Sequence, residues 1–197
     1  MDAALWEKVL QKEEDGSESV HTRALIDQVV EWALPESTNA DEVSCTVKAF
    51  LTADLPGELI NLLERIVLQG SEFNENKNLQ NLLILTAIRA EPAKVMEYID
   101  RLDHFDGPEI AKIACSEQHE LFEEGFAIYT KFSKPKFTED ESLRVEMQVS
   151  AIAILVDSLK ALERAQSYAE RCNISEVWSK LGAAQLEEHM AEEAISR

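Results

Sequence analysis

Residues 54–71 read DLPGELINLLERIVLQGS, and this stretch decides the fold class. Pro56 suits the first turn of a helix, where its missing N–H removes no intrahelical hydrogen bond. Gly70 and Ser71 mark the end. Between them, apolar residues recur at spacings of three and four, which places them on one side of an α-helix: Leu59, Leu62, Leu63, Ile66 and Val67. The stretch predicts an amphipathic helix with one buried face.

The same periodicity continues in both directions along the chain. Residues 77–90 carry leucine and isoleucine around most of the helix circumference, which predicts a helix packed on several sides. Further helices are predicted over 20–34, from Asn39, from Pro92, from Asp106, over 119–132, from Thr138, over 159–172, from Asn173 and from His189. Four of these starts have an acidic residue three positions on, the pattern of a capping box: Asn39/Glu42, Asp106/Glu109, Thr138/Glu141 and Asn173/Glu176.

Several positions predict local packing. Gly125 lies inside a predicted helix, where glycine costs about 1 kcal/mol relative to alanine, so we expect a close helix–helix contact there. Residues 107–114 are expected to turn Ile110, Ile113 and Ala114 inward. Two polar, acidic stretches, about 12–19 and 133–142, are predicted to be surface loops.

Composition excludes several classes of protein. The chain has 197 residues with 19 Lys and Arg against 38 Asp and Glu, a formal charge of −19, so nucleic acid and anionic membranes are poor partners. Only 6 Gly and 5 Pro argue against an all-β fold and for long helices. No apolar run is long enough to span a bilayer, and the N-terminus lacks the pattern of a signal peptide.

The cysteines and histidines nominate no catalytic, cofactor or metal site. The three cysteines are far apart and odd in number, which argues against a disulfide framework or zinc site and fits a reducing compartment; Cys172 is interpreted as a small buried side chain. His104 lies between two aspartates and is interpreted as an exposed turn residue. The acidic runs 13–15 and 139–141 are interpreted as solvated loops. The remaining histidines lack a ligand partner at useful spacing: His21, His119 and His189.

Helix pairs repeat at intervals of roughly 30–35 residues, within the range of helical repeats. The last pair contains Trp178-x2-Leu181-Gly182 followed by Ala194, a partial tetratricopeptide-like pattern in which Gln185 replaces the tyrosine. A compact bundle and a solenoid both fit the row of helices, and the pair spacing favours the solenoid. The prediction is an all-α, right-handed superhelix of stacked antiparallel helix pairs. It spans 1–197 as one segment, and the helical pattern reaching Arg197 indicates a piece of a longer chain.

Long segments of the sequence, in order, resemble the leg of the clathrin heavy chain family. They include VKAFLTADLP (47–56), ELINLLERIVLQ (58–69), NLQNLLILTAIRAEPAKVMEYIDRLDHFDGPEIAKIA (78–114), ELFEEGFAIYTKF (120–132) and VWSKLGAAQL (177–186). The likeness implies a segment near the knee and the start of the proximal leg. The two acidic loops depart from the family pattern, which puts leg–leg contacts at those loops in doubt.

The resemblance also implies a function. Clathrin heavy chains form three-legged assemblies whose legs interweave into the lattice that coats vesicles in endocytosis and intracellular transport. It implies a cytoplasmic structural protein on the cytosolic face of coated pits and vesicles, not an enzyme. Its implied partners are other heavy-chain legs and the clathrin light chain, and the isolated segment is expected to be monomeric.

Three alternatives stay open at this point. A vacuolar-sorting tether subunit would use related helical repeats. A tetratricopeptide-like peptide-binding module would need basic clamps at matching repeat positions, whereas the basic residues are dispersed: Lys77, Arg89, Lys94, Arg101 and Lys112. An enzyme would need converging titratable groups, and the sequence nominates none.

Overall fold

The structure is a computed structural model that describes residues 40–69 and 73–195, with side chains over 43–69 and 73–188. The predicted acidic loop at 12–19, the helix over 20–34, the Asn39 cap and the Gly70-Ser71 end lie outside these residues. Within them, every regular element is helical. The α-helices are α1 Ala40–Thr52, α2 Pro56–Leu68, α3 Lys77–Ala90, α4 Val95–Arg101, α5 Gly107–Ala114, α6 Phe122–Phe132, α7 Glu141–Ala153, α8 Leu162–Cys172 and α9 Ser175–Ile195.

The helices form pairs, and each packs mainly against its neighbours along the chain. The first helices of successive pairs begin at Ala40, Lys77, Gly107, Glu141 and Ser175, which are 30 to 37 residues apart. Short connections between packed helices require antiparallel neighbours, as in other helical repeats. The predicted fold class, an all-α solenoid of stacked helix pairs, is therefore confirmed. The chain divides into two compact units, Met1–Phe105 and Asp106–Arg197, and a single continuous segment over 1–197 stays a prediction.

The first unit is held by the faces that the sequence predicted. Pro56 is at the start of α2, and the predicted apolar stripe of that helix is buried. α3 packs against α2 and α4, and its Leu83, Ile84 and Ile88 are at most 1 % exposed. A helix covered on several sides must bury apolar residues around most of its circumference, as predicted for 77–90.

One buried polar contact of the first unit was not predicted. Gln80 on α3 is 2 % exposed. Its amide nitrogen donates to the carbonyl of Asn74 at 2.7 Å, and its amide oxygen accepts the backbone N–H of His104 at 2.8 Å. Both polar ends are thereby satisfied, so one buried side chain ties the segment before α3 to the segment after α4.

The core of the second unit corrects one predicted face. α5 buries Gly107, Ile110, Ala111 and Ala114, whereas Ile113 is 40 % exposed. The buried set follows spacings of three and four around a single face, and Ile113 lies off that face. The prediction that Ile113 points inward was wrong.

The helix boundaries correct several predicted caps. Asp106 precedes α5 but makes no side-chain capping bond, and Pro108, two residues on, has no N–H to offer. The Glu109 carboxylate of the predicted capping box binds Lys112 at 2.7 Å. Asp140, rather than Thr138, caps α7 by accepting from the N–H groups of Ser142 and Leu143 at 2.8 and 3.3 Å.

The C-terminal helices also differ from prediction. Asn173 does not open a helix but ends α8 in the left-handed conformation, with φ 50°, which asparagine tolerates better than most residues. α9 runs unbroken from Ser175 to Ile195, so the predicted start of a separate helix at His189 was wrong. No proline interrupts this stretch, and the acidic residues around His189 are compatible with a helix.

A π-helical turn over Ile154–Ser158 follows α7 and was not predicted. The Leu159 N–H reaches the Ile154 carbonyl at 3.0 Å, five residues back. Three consecutive apolar residues of this turn, Ile154, Leu155 and Val156, are buried, and the turn packs against α6, α8 and α9 as well as following α7.

Candidate interaction surface

The titratable residues that stand out in the sequence are not brought together. His104 is exposed, as predicted. Glu139 is exposed in the loop before α7 and Glu141 at the first residue of that helix, and Asp140 between them acts as the cap. Cys172 is half-buried at the last residue of α8, rather than buried as predicted. In the described part of the chain, no group of three or more His, Cys, Asp or Glu side chains is arranged to hold a metal ion.

The second acidic loop is anchored to the helices by an aromatic residue. Phe137 packs on Phe132 of α6 with ring centroids 5.1 Å apart, and the ammonium groups of Lys131 and Lys136 lie 5.6 and 4.8 Å from its ring. Ser133 is buried. The loop over 133–142 is therefore polar in composition, but it is held against the end of α6 by Phe137.

Phe132 in turn occupies the space beside Gly107, the first residue of α5. A Cβ on Gly107 would lie 2.5 Å from two atoms of the Phe132 ring. Real Cβ atoms do not approach other atoms this closely, so the aromatic ring requires glycine at this position. The contact lets α5 and α6 approach closely at this end.

Gly125 makes a second close contact between the same two helices, and this contact was predicted. A Cβ on Gly125 would overlap Sγ of Cys115, which follows α5, and would lie 3.6 Å from the carbonyl oxygen of Ala111. Glycine inside α6 therefore allows close approach to α5, which offsets its cost in helix propensity.

Cys115 is half-buried beside Gly125, and its partial burial has a chemical consequence. Removal from water, with a smaller contribution from Glu124, raises the pKa of the Cys115 thiol to about 11. Because the thiolate is the reactive form, we expect this thiol, with Cys45 and Cys172 changed to Ser, to react with a disulfide reagent at pH 8 about a hundredfold more slowly than in urea. Equal rates in buffer and in urea would contradict the raised pKa of this thiol.

The first unit has a polar cluster that joins α2 to the start of α4. Lys94 binds Glu64 at 3.2 Å and Glu91 at 2.9 Å. The hydroxyl of Tyr98, a fully buried residue, donates to the same Glu64 carboxylate. Burial, followed by the bond to Glu64, raises the pKa of Tyr98 well above its ordinary value. The cluster satisfies a buried hydroxyl and so stabilises the fold.

In the second unit, two contacting aromatic side chains of α6 and α8 lie between two arginines of α8. Arg164 forms two bonds to Glu123, at 2.5 and 2.8 Å, and its guanidinium lies 5.6 Å from the ring of Phe126. Phe126 meets Tyr168 edge to face at 5.5 Å, and Arg171 lies 5.7 Å from the Tyr168 ring. We call these four residues, Arg164, Phe126, Tyr168 and Arg171, the α6–α8 ladder.

The ladder borders a shallow cleft of about 310 Å³, lined by Phe126, Glu163, Arg164, Ser167 and Arg171. The bond to Arg164 lowers the pKa of Glu123 and raises that of Arg164, so this pair stays ionised over the physiological range. This surface was not predicted from the sequence, because it depends on contacts between two helices whose residues Glu123 and Arg164 are 41 positions apart.

One face of α9 is open. Val177 and Leu181 are buried against the unit, whereas Trp178 is 39 % and Leu186 60 % exposed. Gly182 lies between them at the same spacing of four, and a Cβ added to it would have no atom within 4 Å. Trp178, Gly182 and Leu186 thus form an uncovered stripe along the helix.

Among the residues that the structure describes, no helix combines the length and apolarity needed to cross a membrane. The fold and these surfaces define a helical-repeat protein whose prominent features are helix–helix contacts. Residues 34–193 match the family described as "Region in Clathrin and VPS". The chain belongs to this clathrin family.

The relatives are named as clathrin heavy chains. Clathrin heavy chain 2 of Oryza sativa subsp. japonica is 50 % identical over 195 residues, covering 99 % of this chain and 10 % of the relative. The clathrin heavy chain of Dictyostelium discoideum is 52 % identical over 194 residues, 98 % of this chain and 10 % of the relative. Clathrin heavy chain 2 of Homo sapiens is 48 % identical over 195 residues, 99 % of this chain and 11 % of the relative. The chain thus spans about a tenth of the curated relatives that it matches.

The resemblance to clathrin heavy chains is confirmed by these relatives. The family description includes VPS proteins, but identity near one half along almost the whole chain favours the clathrin heavy chain over a sorting tether or a tetratricopeptide-like module.

Proposed function

We propose that this chain is a leg segment of a clathrin heavy chain and that its role is structural. The observation that carries the proposal is identity near one half to clathrin heavy chains over 98–99 % of this chain. In this role the segment contacts other heavy-chain legs in the lattice that coats vesicles, and it catalyses no reaction.

The repeat construction supports a mechanical role. In a helical-repeat protein each repeat contacts its neighbours, so local stiffness follows from the contacts between adjacent repeats. The uncovered stripe of α9, with Trp178 and Leu186 exposed, is the surface that a following repeat of the longer chain would cover. Weak lateral contacts repeated over many legs then add through effective concentration.

We place this protein on the cytosolic face of coated pits and coated vesicles, with the clathrin light chain as a further partner. The charge of −19 supports a role without nucleic acid, because phosphate backbones repel an acidic surface. For the same reason a direct contact with anionic lipid is unfavourable.

Assembly of the full-length heavy chain tests the proposal. Bringing acidic legs together costs Coulomb energy, which salt screens over about 8 Å at physiological ionic strength. Lowering the pH from 7.5 to 6.0 adds protons to the chain and so reduces its negative charge. We expect light scattering to show stronger assembly at pH 6.0 and on addition of divalent cations.

The ionic strength provides the control for this experiment. In 0.5 M salt the screening length falls below about 5 Å, so the difference between pH 6.0 and 7.5 should shrink. Scattering that does not change with pH, or that falls as the pH is lowered, would contradict the electrostatic part of the proposal. A heavy chain that forms no assemblies under any of these conditions would contradict the structural role itself.

A further inference from the structure

We propose that the cleft beside the α6–α8 ladder is a contact surface for carboxylate side chains of a second copy of this chain, with Arg171 as the residue that binds them. This inference rests on the proposed function, because it assigns one of the leg–leg contacts to particular residues.

The two arginines of the ladder differ in what they already bind. The Arg164 charge is taken up by Glu123 through two hydrogen bonds. Arg171 is exposed, and in the part of the chain that the structure describes it forms no ion pair. Its guanidinium is therefore available to bind a carboxylate in the planar, two-bonded geometry that arginine favours.

The position of Arg171 is set by its surroundings. Its guanidinium lies over the ring of Tyr168, a residue only 3 % exposed, and Tyr168 is fixed against Phe126. A side chain already held on an aromatic ring loses less conformational entropy when it binds a partner. Contact with the Tyr168 ring thus preorganises Arg171, so it should bind a carboxylate more tightly than a mobile surface arginine would.

The cleft contains one acidic group, and its placement leaves Arg171 accessible. Glu163 lines the other end of the cleft, eight residues from Arg171 on α8, or about 12 Å along the helix. Ser167 lies between the two, and its hydroxyl donates to the Glu163 carbonyl at 3.1 Å.

Charge complementarity identifies the partner. A second copy carries twice as many acidic as basic residues, 38 against 19, so it offers many carboxylates. A contact between two such surfaces is repulsive unless it includes cations that have no carboxylate of their own. Arg171 is such a cation, in a cleft large enough to admit an acidic side chain and its neighbours.

The test uses assembly of the full-length heavy chain, followed by sedimentation. Arg171→Glu is expected to raise the protein concentration required for assembly about two- to fivefold at physiological salt, the range of a single exposed ion pair reversed in sign. Arg171→Lys, which keeps the charge but loses the planar fork, should have a smaller effect. In 0.5 M salt the variants should converge.

Arg89→Glu is the matched control. Arg89 is also an exposed arginine in the last turn of its helix, α3, so this change has the same cost against the helix dipole. It should leave assembly within about the error of the measurement. If Arg171→Glu assembles like Arg89→Glu while the wild-type chain assembles normally, the inference is overturned and the proposed function stands.

A cross-linking experiment identifies the occupant of the cleft. A photo-reactive residue at position 167 is introduced in unlabelled heavy chain, which is then assembled with an isotopically labelled copy and no other protein. A cross-link from position 167 to an acidic segment of the labelled copy is expected. Cross-links only to later repeats of the same chain, or to a segment without carboxylates, would overturn the inference.

Discussion

Replacing Gly107 with alanine is expected to destabilise the second unit by about 2 kcal/mol, within the usual range for overpacking a core. The new Cβ would lie 2.5 Å from the ring of Phe132. That ring is 8 % exposed and also packs against Phe137, so it has little room to move. Thermal unfolding followed by circular dichroism should show a melting temperature lower by about 4–8 °C.

Gly57 provides the control, because it is also adjacent to a proline in the first turn of a helix and a Cβ added there would have no atom within 4 Å. Gly57→Ala should be neutral or stabilising, by up to about 1 kcal/mol. In a Gly107→Ala background, Phe132→Leu should recover part of the loss. Equal effects of Gly57→Ala and Gly107→Ala would show that the ring does not require glycine.

Local sequence patterns predicted the helices whose burial depends on one periodic face. The α2 stripe and the all-round apolar character of α3 were predicted correctly, since period and composition specify which sides are covered. The close contact at Gly125 was predicted from its unfavourable propensity alone. A residue that costs stability inside a helix indicates a neighbour that requires the space.

Other features that depend on tertiary geometry were not predicted. The N-cap of α7 is Asp140, one residue before the helix, rather than the predicted Thr138, because helix boundaries shift by one or two residues with packing. The π-turn after α7 keeps Ile154, Leu155 and Val156 buried at the expense of α-helical periodicity. A pattern that assumes 3.6 residues per turn does not contain that information.

The α6–α8 ladder shows why interaction surfaces are harder to predict than helices. Each of its residues has an ordinary interpretation in sequence: an arginine on a helix surface, or an aromatic residue in a core. Two contacts make these residues a candidate binding surface. Phe126 packs against Tyr168 across two helices, and Glu123 binds Arg164 but not Arg171. Only the fold distinguishes the paired arginine from the unpaired one.

Gly125→Val is expected to be the most damaging of the glycine substitutions, with a loss of about 3 kcal/mol or more in the free energy of unfolding. Its Cβ would overlap Sγ of Cys115, and two further methyl groups would be added where the Ala111 carbonyl oxygen already lies 3.6 Å from that Cβ. A backbone oxygen in α5 cannot move without shifting the helix. Urea unfolding followed by circular dichroism measures the loss.

Alanine at position 125 distinguishes the clash with the Cys115 thiol from the contact with the Ala111 carbonyl. In Gly125→Ala the added methyl group clashes only with the Cys115 thiol. We therefore expect the free energy of unfolding to fall by about 1–2 kcal/mol, and Cys115→Ala should largely restore it in the double variant. The same cysteine change should not rescue Gly125→Val, because the Ala111 carbonyl remains. Gly182→Ala in α9, where no atom lies within 4 Å, should stabilise by up to about 1 kcal/mol through helix propensity. Strict additivity of Gly125→Ala and Cys115→Ala would mean that the thiol does not limit the approach of α5 and α6.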